Sequence, residues 1–163
     1  MDEKIFFMLF HAAQNNRHLS ELSKFATKVS SKLFFILYCV LLLSLWWQHD
    51  TGKLILCITI PLFTLFSSLL LRRTVHRPRP YQSLAIQIEF PRKEKYSFPS
   101  NHSASASIIA LTCLYCYTPL GIVACLLAIV TGLSRVISGL HYPTDILAGF
   151  VLSSMISSLY LFF

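Results

Sequence analysis

Residues 54–71 read LILCITIPLFTLFSSLLL, 18 positions without a charge, and Arg72 and Arg73 follow at once. At about 1.5 Å per residue, a helix of that length covers about 27 Å, close to the hydrocarbon thickness of a bilayer. Four more apolar runs lie around it, at 33–47, 103–117, 120–134 and 146–163. The shorter runs must borrow flanking residues to span. Backbone groups in hydrocarbon have no water to bond, so each run is expected to be an α-helix. The expected fold is an all-α integral membrane protein with five transmembrane helices and an N-terminal amphipathic helix. Composition points the same way: the chain is 55% hydrophobic and 13% charged, whereas soluble domains are about 25% charged. Its 163 residues suit a single domain, with an N-terminal segment 1–32 and a five-helix core 33–163.

The amphipathic segment is 16–30. Leu19, Leu22, Phe25, Ala26 and Val29 recur at helical spacing, with Arg17, Glu21, Lys24 and Lys28 between them. Such a helix either lies on the membrane surface or packs on the bundle. The N-terminus opens with Asp2 and Glu3, and its apolar run (5–10) is too short for a signal peptide, so none is expected. The Trp46–Trp47 pair suits a membrane interface. All five cysteines sit in apolar runs and read as small buried hydrophobes. Cys113 and Cys116 have redox spacing but no βαβ context.

The alternation of spans carries the key inference. The second helix ends at Arg72, the third begins near Ser100, the fourth ends at Arg135 and the fifth begins near Asp145. All four points fall on one side of the membrane, where polar residues of three separate segments can meet. Nucleic acid is not expected as a partner of the +7 charge, because the basic residues lie between apolar spans and form no separable basic module.

From Ser103 onward Arg135 and Asp145 are the only charged residues. Charges near a bilayer centre cost about 2.5–3.5 kcal/mol on insertion scales, so they are rare and usually functional; a plain interfacial ion pair is the alternative. Asp145 follows His141 by four positions, within reach on a helix start. A carboxylate on one ring nitrogen fixes the tautomer and frees the other to attack. Ser100 reads as the N-cap of the next helix, whose first-turn N–H groups suit phosphate. His102 stands there as a proton donor to a leaving oxygen, or as an ordinary interface histidine. Arg72, Arg73, Arg77 and Arg79 end the second helix; they either anchor lipid headgroups or grip a phosphate, which arginine does bidentately. The long polar link 72–100 holds four prolines, and long links within a compact domain are usually functional. Its stretch 81–96 is either a lateral gate or a surface loop. Two histidines and an aspartate could also bind metal, but no dense acidic cluster accompanies them, so no metal or cofactor is expected.

These residues fall into three blocks: Arg72-x6-Arg79-Pro80, Pro99-Ser100-Asn101-His102, and Ser134-Arg135-x5-His141-x3-Asp145. In order and spacing the chain resembles the type 2 phosphatidic acid phosphatase superfamily, whose pattern is Lys-x6-Arg-Pro, Pro-Ser-Gly-His and Ser-Arg-x5-His-x3-Asp. Arg72 stands in place of lysine, and Asn101 in place of glycine. The stretches 77–81 and 98–102 look most like the bacterial undecaprenyl pyrophosphate phosphatases of that superfamily. The resemblance implies a metal-free hydrolase in which His141 forms a phosphohistidine, Asp145 orients it and His102 protonates the leaving oxygen. Arg72, Arg79, Arg135, Ser100 and Asn101 would hold the phosphate. The implied substrate is undecaprenyl pyrophosphate. Left open beside it are a monoester lipid phosphatase, for phosphatidylglycerophosphate, phosphatidate or lipid A phosphate, and a non-catalytic lipid-phosphate binder or transporter. The expected partners are a polyprenyl or phospholipid phosphate and the bilayer of the cell membrane. On orientation two arguments oppose each other. Lys53 alone of the 14 Lys and Arg residues lies opposite the site, so the positive-inside rule puts the site in the cytoplasm. The resemblance implies the outer face, which is the orientation expected here.

Overall fold

The computed structural model describes residues 2–88 and 96–162. The elements are α1 (Asp2–Gln14), α2 (Arg17–Trp47), α3 (Thr51–Thr74), the short α4 (Pro80–Ser83), α5 (Asn101–Cys116), α6 (Thr118–Ile137) and α7 (Pro143–Ser157), which ends in a 3-10 turn, Ser158–Phe162. Among the described residues there is no β-strand, only an isolated bridge between Pro78 and Tyr96. The fold is that of an all-α integral membrane protein. Four helices are long and apolar enough to cross a bilayer: α2, α3, α6 and α7 with its 3-10 extension. The fifth expected span, α5, has 16 residues and is sheltered by contact with α2, α3, α6 and α7.

The bundle is inside-out relative to a soluble one. Leu22, Phe25, Phe35, Leu43, Phe66, Leu126 and Met155 face outward, where lipid is the solvent. Its interior is lined by small residues, and three glycines mark close approaches. A side chain on Gly121 would strike the backbone of Leu114, one on Gly132 would strike Ile146, and one on Gly149 would meet the start of α5. Small residues at helix crossings are what membrane packing favours, because dispersion contacts must replace the missing hydrophobic drive.

The amphipathic segment is not a separate helix. α2 begins at N-cap Asn16, whose side chain accepts from Leu19 N–H, and runs unbroken for 31 residues into the first apolar span. No glycine or proline interrupts 17–47. The inward face is Ser23, Thr27 and Ser30, then Phe34, Leu41 and Leu45. The apolar stripe at Leu22 and Phe25 therefore points away from the bundle, and the small hydroxyl residues point in. α1, within the N-terminal segment, packs Phe6 and Phe10 against Val136, Tyr142 and Ile146.

α3 contains Pro61, which cannot donate to the carbonyl of Cys57 four residues earlier. Tyr38 of α2 fills that gap, donating its hydroxyl to the Cys57 carbonyl at 2.7 Å. In hydrocarbon a freed carbonyl must find a partner, and this one joins α2 to α3. After α3 the chain turns back on itself: Ser97 N–H donates to Arg77 O at 2.9 Å. This brings the arginine segment beside the start of α5. Of the stretch 81–96, residues 89–95 lie outside the described residues.

Candidate active site

His141 lies in the turn between α6 and α7 and is almost wholly buried. The turn is tight, with Gly139 at φ 75°, a left-handed conformation that glycine adopts without strain. Leu140 N–H and His141 N–H both bond back to Arg135 O, at 3.0 and 3.3 Å. The histidine is therefore fixed from below by the end of α6.

Each ring nitrogen faces a charged group, and only Nε2 is within hydrogen-bond geometry. Nδ1 faces Asp145 Oδ2 at 3.5 Å, long for a hydrogen bond; such contacts commonly tighten only around the reacting substrate. Nε2 lies 3.2 Å from Arg79 Nη1, and the same Nη1 donates to Leu140 O at 3.1 Å. An arginine beside Nε2 requires that nitrogen to carry its lone pair, which leaves the proton on Nδ1 facing the carboxylate. Burial pushes the His141 pKa down from 6.5 to about 4; the Asp145 contact opposes this and the nearby Arg79 charge adds to it. The imidazole is therefore neutral at physiological pH, the form in which a histidine is able to attack an electrophile.

Asp145 is fully buried at the start of α7. Oδ2 accepts Tyr142 N–H at 2.9 Å, and Oδ1 accepts from Arg77 Nη1 at 2.9 Å. Its backbone carbonyl accepts Ser100 N–H at 3.0 Å, which ties the start of α7 to the start of α5. Ser100 is the N-cap of α5, its side chain accepting from Ser103 N–H, as the sequence predicts. Arg72 Nη2 donates to Pro99 O at 2.8 Å, so the last turn of α3 braces the same corner. Asn101 Oδ1 accepts from Ser68 of α3 at 2.7 Å.

His102 lines a second region, which Arg135 reaches through two serines. A cavity of about 320 Å³ opens between α2, α5 and α6, lined by Ser30, Ser31, Asn101 and His102 at its polar end and by Phe34, Tyr38 and Ile109 further in. Arg135, fully buried, donates from Nη2 to Ser30 Oγ at 3.3 Å and Ser31 Oγ at 3.4 Å. The predicted residues thus gather at one end of the bundle in two linked groups. Asp145, His141 and Arg79 form one; in the other, His102 and Asn101 line the cavity and Arg135 bonds the two serines at its polar end. Ser100 and Arg72 stand between them.

The sequence reading gives no role to Ser30, Ser31 or Asp2, and offers Arg77 only as a lipid anchor or a phosphate grip. Ser30 and Ser31 belong to the N-terminal segment 1–32, whose amphipathic part the sequence leaves open between the membrane surface and the bundle. Arg77 bonds Asp145, Thr144 and Asp2 together. A signal for Arg77 does exist in the sequence. Arg77 and Arg79 are two apart, each followed by proline, which favours extended backbone and puts both side chains on one edge. No sequence signal marks Asp2.

A helical bundle with apolar walls and the buried residues Arg79, Arg135, His141 and Asp145 collected at one end is a membrane protein. The chain belongs to the PAP2 superfamily, which its residues 50–162 match. It is 26% identical to undecaprenyl-diphosphatase BcrC of Bacillus subtilis, over 98% of this chain and 82% of that one. It is 37% identical to an undecaprenyl-diphosphatase of Sulfolobus acidocaldarius, over 42% of this chain and 34% of that one. A decaprenylphosphoryl-5-phosphoribose phosphatase of Mycobacterium tuberculosis is 32% identical over 56% of this chain and 50% of its own length. In structure the chain is similar to Aquifex aeolicus LpxE, with a TM-score of 0.62 and 19% identity, covering 99% of this chain and 95% of that one. That likeness concerns the fold alone.

Proposed function

We propose that this protein is a lipid phosphatase that hydrolyses undecaprenyl pyrophosphate through a phosphohistidine on His141. The observation that carries the reading is the His141 ring, neutral and buried, with Nδ1 toward Asp145 and Nε2 toward Arg79. His141 Nε2 attacks the terminal phosphorus. The bond from phosphorus to the bridging oxygen breaks, and His102 gives that oxygen its proton, releasing the polyprenyl monophosphate. Water then attacks the phosphohistidine, His102 takes the proton, and inorganic phosphate leaves. Arg72, Arg79, Arg135, Ser100 and the Asn101 N–H hold the phosphoryl oxygens, where preorganised donors act most strongly in a water-poor site. The proposed steps use this chain's own residues and assign no role to a metal. The similarity to two undecaprenyl-diphosphatases supports the pyrophosphate substrate. The phosphoribose phosphatase relative favours a second reading, a monoester lipid phosphatase. The protein sits in the cell membrane with its site on the outer face.

Phosphate release from a panel of polyprenyl pyrophosphate and monoester lipids, by purified protein in excess EDTA, tests this. The pyrophosphate is expected to be the best substrate, and His141→Ala is expected to lose at least about 10²-fold. Hydrolysis of monoesters only would refute the substrate, a strict metal requirement would refute the mechanism, and full activity of the variant would refute catalysis by His141.

A further inference from the structure

Arg77 falls among the six unspecified positions of the first block, yet it is the hub behind the histidine–aspartate pair. Nη1 donates to Asp145 Oδ1 at 2.9 Å and to Thr144 Oγ1 at 2.6 Å. Nη2 donates to Asp2 Oδ2. The guanidinium also lies over the Tyr142 ring, 4.1 Å from its centre. Arg77 thus takes the Asp145 oxygen that His141 does not face, and the two arginines divide the site. Arg79 stands on the Nε2 side, where phosphorus would arrive, and Arg77 stands behind the carboxylate.

A fully buried carboxylate needs both a counter-charge and filled lone pairs. Arg77 provides the charge and one bond; Tyr142 N–H provides another, to Oδ2. With Oδ1 and Oδ2 so held, the carboxylate cannot rotate away from His141 Nδ1. Arg77 is itself fixed by the N-terminal helix. Asp2 accepts from Arg77 and Thr144 through Oδ2, and from Thr144 N–H through Oδ1 at 3.2 Å. Burial pushes the Asp2 carboxyl up, but its bonds from Thr144 and Arg77 outweigh that and hold it below the usual carboxylate range. Phe6 and Phe10 seat α1 on Tyr142 and Val136. The first residue of α1 therefore reaches the nucleophile through Arg77 and Asp145.

We propose that Arg77, clamped by Asp2 of α1, is a positioning residue: it fixes the Asp145 carboxylate so that His141 keeps its proton on Nδ1 and its lone pair on Nε2. This rests on the phosphohistidine reading. Arg77 does not touch the substrate, so its loss lowers the rate of the chemical step and leaves binding nearly unchanged.

The test uses the full chain in detergent, with farnesyl diphosphate as a short polyprenyl probe and ¹⁵N-labelled histidine for NMR. Arg77→Gln is expected to lower kcat about 10- to 100-fold, as for other outer partners of a reacting group, with KM within about twofold. The His141 ¹⁵N signals are expected to change from one tautomer to a mixture. Arg77→Lys, which keeps the charge but not the fork, is expected to recover part of the rate. Asp2→Asn is expected to lower kcat about threefold in the wild-type background and not at all in Arg77→Gln, because an interaction already broken cannot be lost twice. An Arg77→Gln kcat within twofold of wild type, a change in KM alone, or an unaltered tautomer would overturn the proposal. Should Arg77→Gln fail to fold, Asp2→Asn decides, and a wild-type kcat and tautomer there overturn it. If the wild-type chain releases no phosphate from any lipid, the phosphatase reading has failed, and the tautomer measurement still decides the role of Arg77.

Discussion

Adding a single methyl group at Gly149 puts the meeting of α5 and α7 under direct strain. A Cβ there would lie 3.0 Å from Ser100 O, 3.1 Å from Ala104 N and 3.4 Å from Ser103 Cβ. Two of these three neighbours are backbone atoms in the first turn of α5, so no flexible side chain can yield. That turn must shift by a few tenths of an ångström, and it carries the Ser100 N–H bond to Asp145 O at 3.0 Å. Two terms oppose each other in Gly149→Ala. Helix propensity favours alanine by about 1 kcal/mol. Overpacking a close-packed contact costs about 1–3 kcal/mol. The expected net loss is about 0–2 kcal/mol for alanine and more for valine, whose two further methyls meet the same wall. Activity is the sharper readout. A misplacement of 1 Å can cost about 10²-fold, so a few tenths predicts a fall in kcat of about 3- to 10-fold. Gly52→Ala is the control, since its Cβ would meet only Asp50 Oδ1 at 3.9 Å. Thermal unfolding in detergent, followed by the fluorescence of Trp46 and Trp47, together with phosphate release, measures both effects. If Gly149→Ala matches Gly52→Ala in stability and rate, the helices do not meet as described, and the reasoning about the site's corner fails with them.

Two other outcomes are expected. Because burial holds the His141 pKa at about 4 and not 6.5, lowering the pH through 6.5 leaves the ring neutral. At pH 5 about 10% is protonated, against about 97% for an unperturbed histidine, and the neutral ring is lost only as pH falls through about 4. Titrating the His141 ¹⁵N signals in the unliganded protein avoids the substrate's own ionisation; a midpoint near 6.5 would show that the ring is not desolvated. For orientation, a reporter fused to the C-terminus and active only in the cytoplasm is expected to be active. A silent reporter there, with an active periplasmic one, would place the site inside, as the positive-inside rule has it.

The spans were legible because hydrocarbon leaves so few choices. An uncharged run such as 54–71 must be a helix, and counting the runs places Arg72, Ser100, Arg135 and Asp145 on one side before any contact is known. Local chemistry was legible too: Ser100 caps α5 as its type and place suggest, and His141 faces Asp145 at the expected spacing of four. The segment 16–30 was harder. Helical spacing gives the same apolar stripe whether that stripe faces a core or lipid. The pattern could not say that Ser23, Thr27 and Ser30 turn inward while Leu22 and Phe25 turn out.

By itself the sequence determined that this is a helical membrane chain and which charges could share a face, since those follow from the cost of burying polar groups in lipid. Only the tertiary structure decided which arginine serves which partner. Arg72, Arg77, Arg79 and Arg135 have the same side chain and lie at the same end of the bundle. Yet one braces Pro99, one holds Asp145, one meets His141 Nε2 and one reaches the serines of α2. Those assignments depend on distances of a few ångströms between helices far apart in sequence, and residue type and spacing do not encode them.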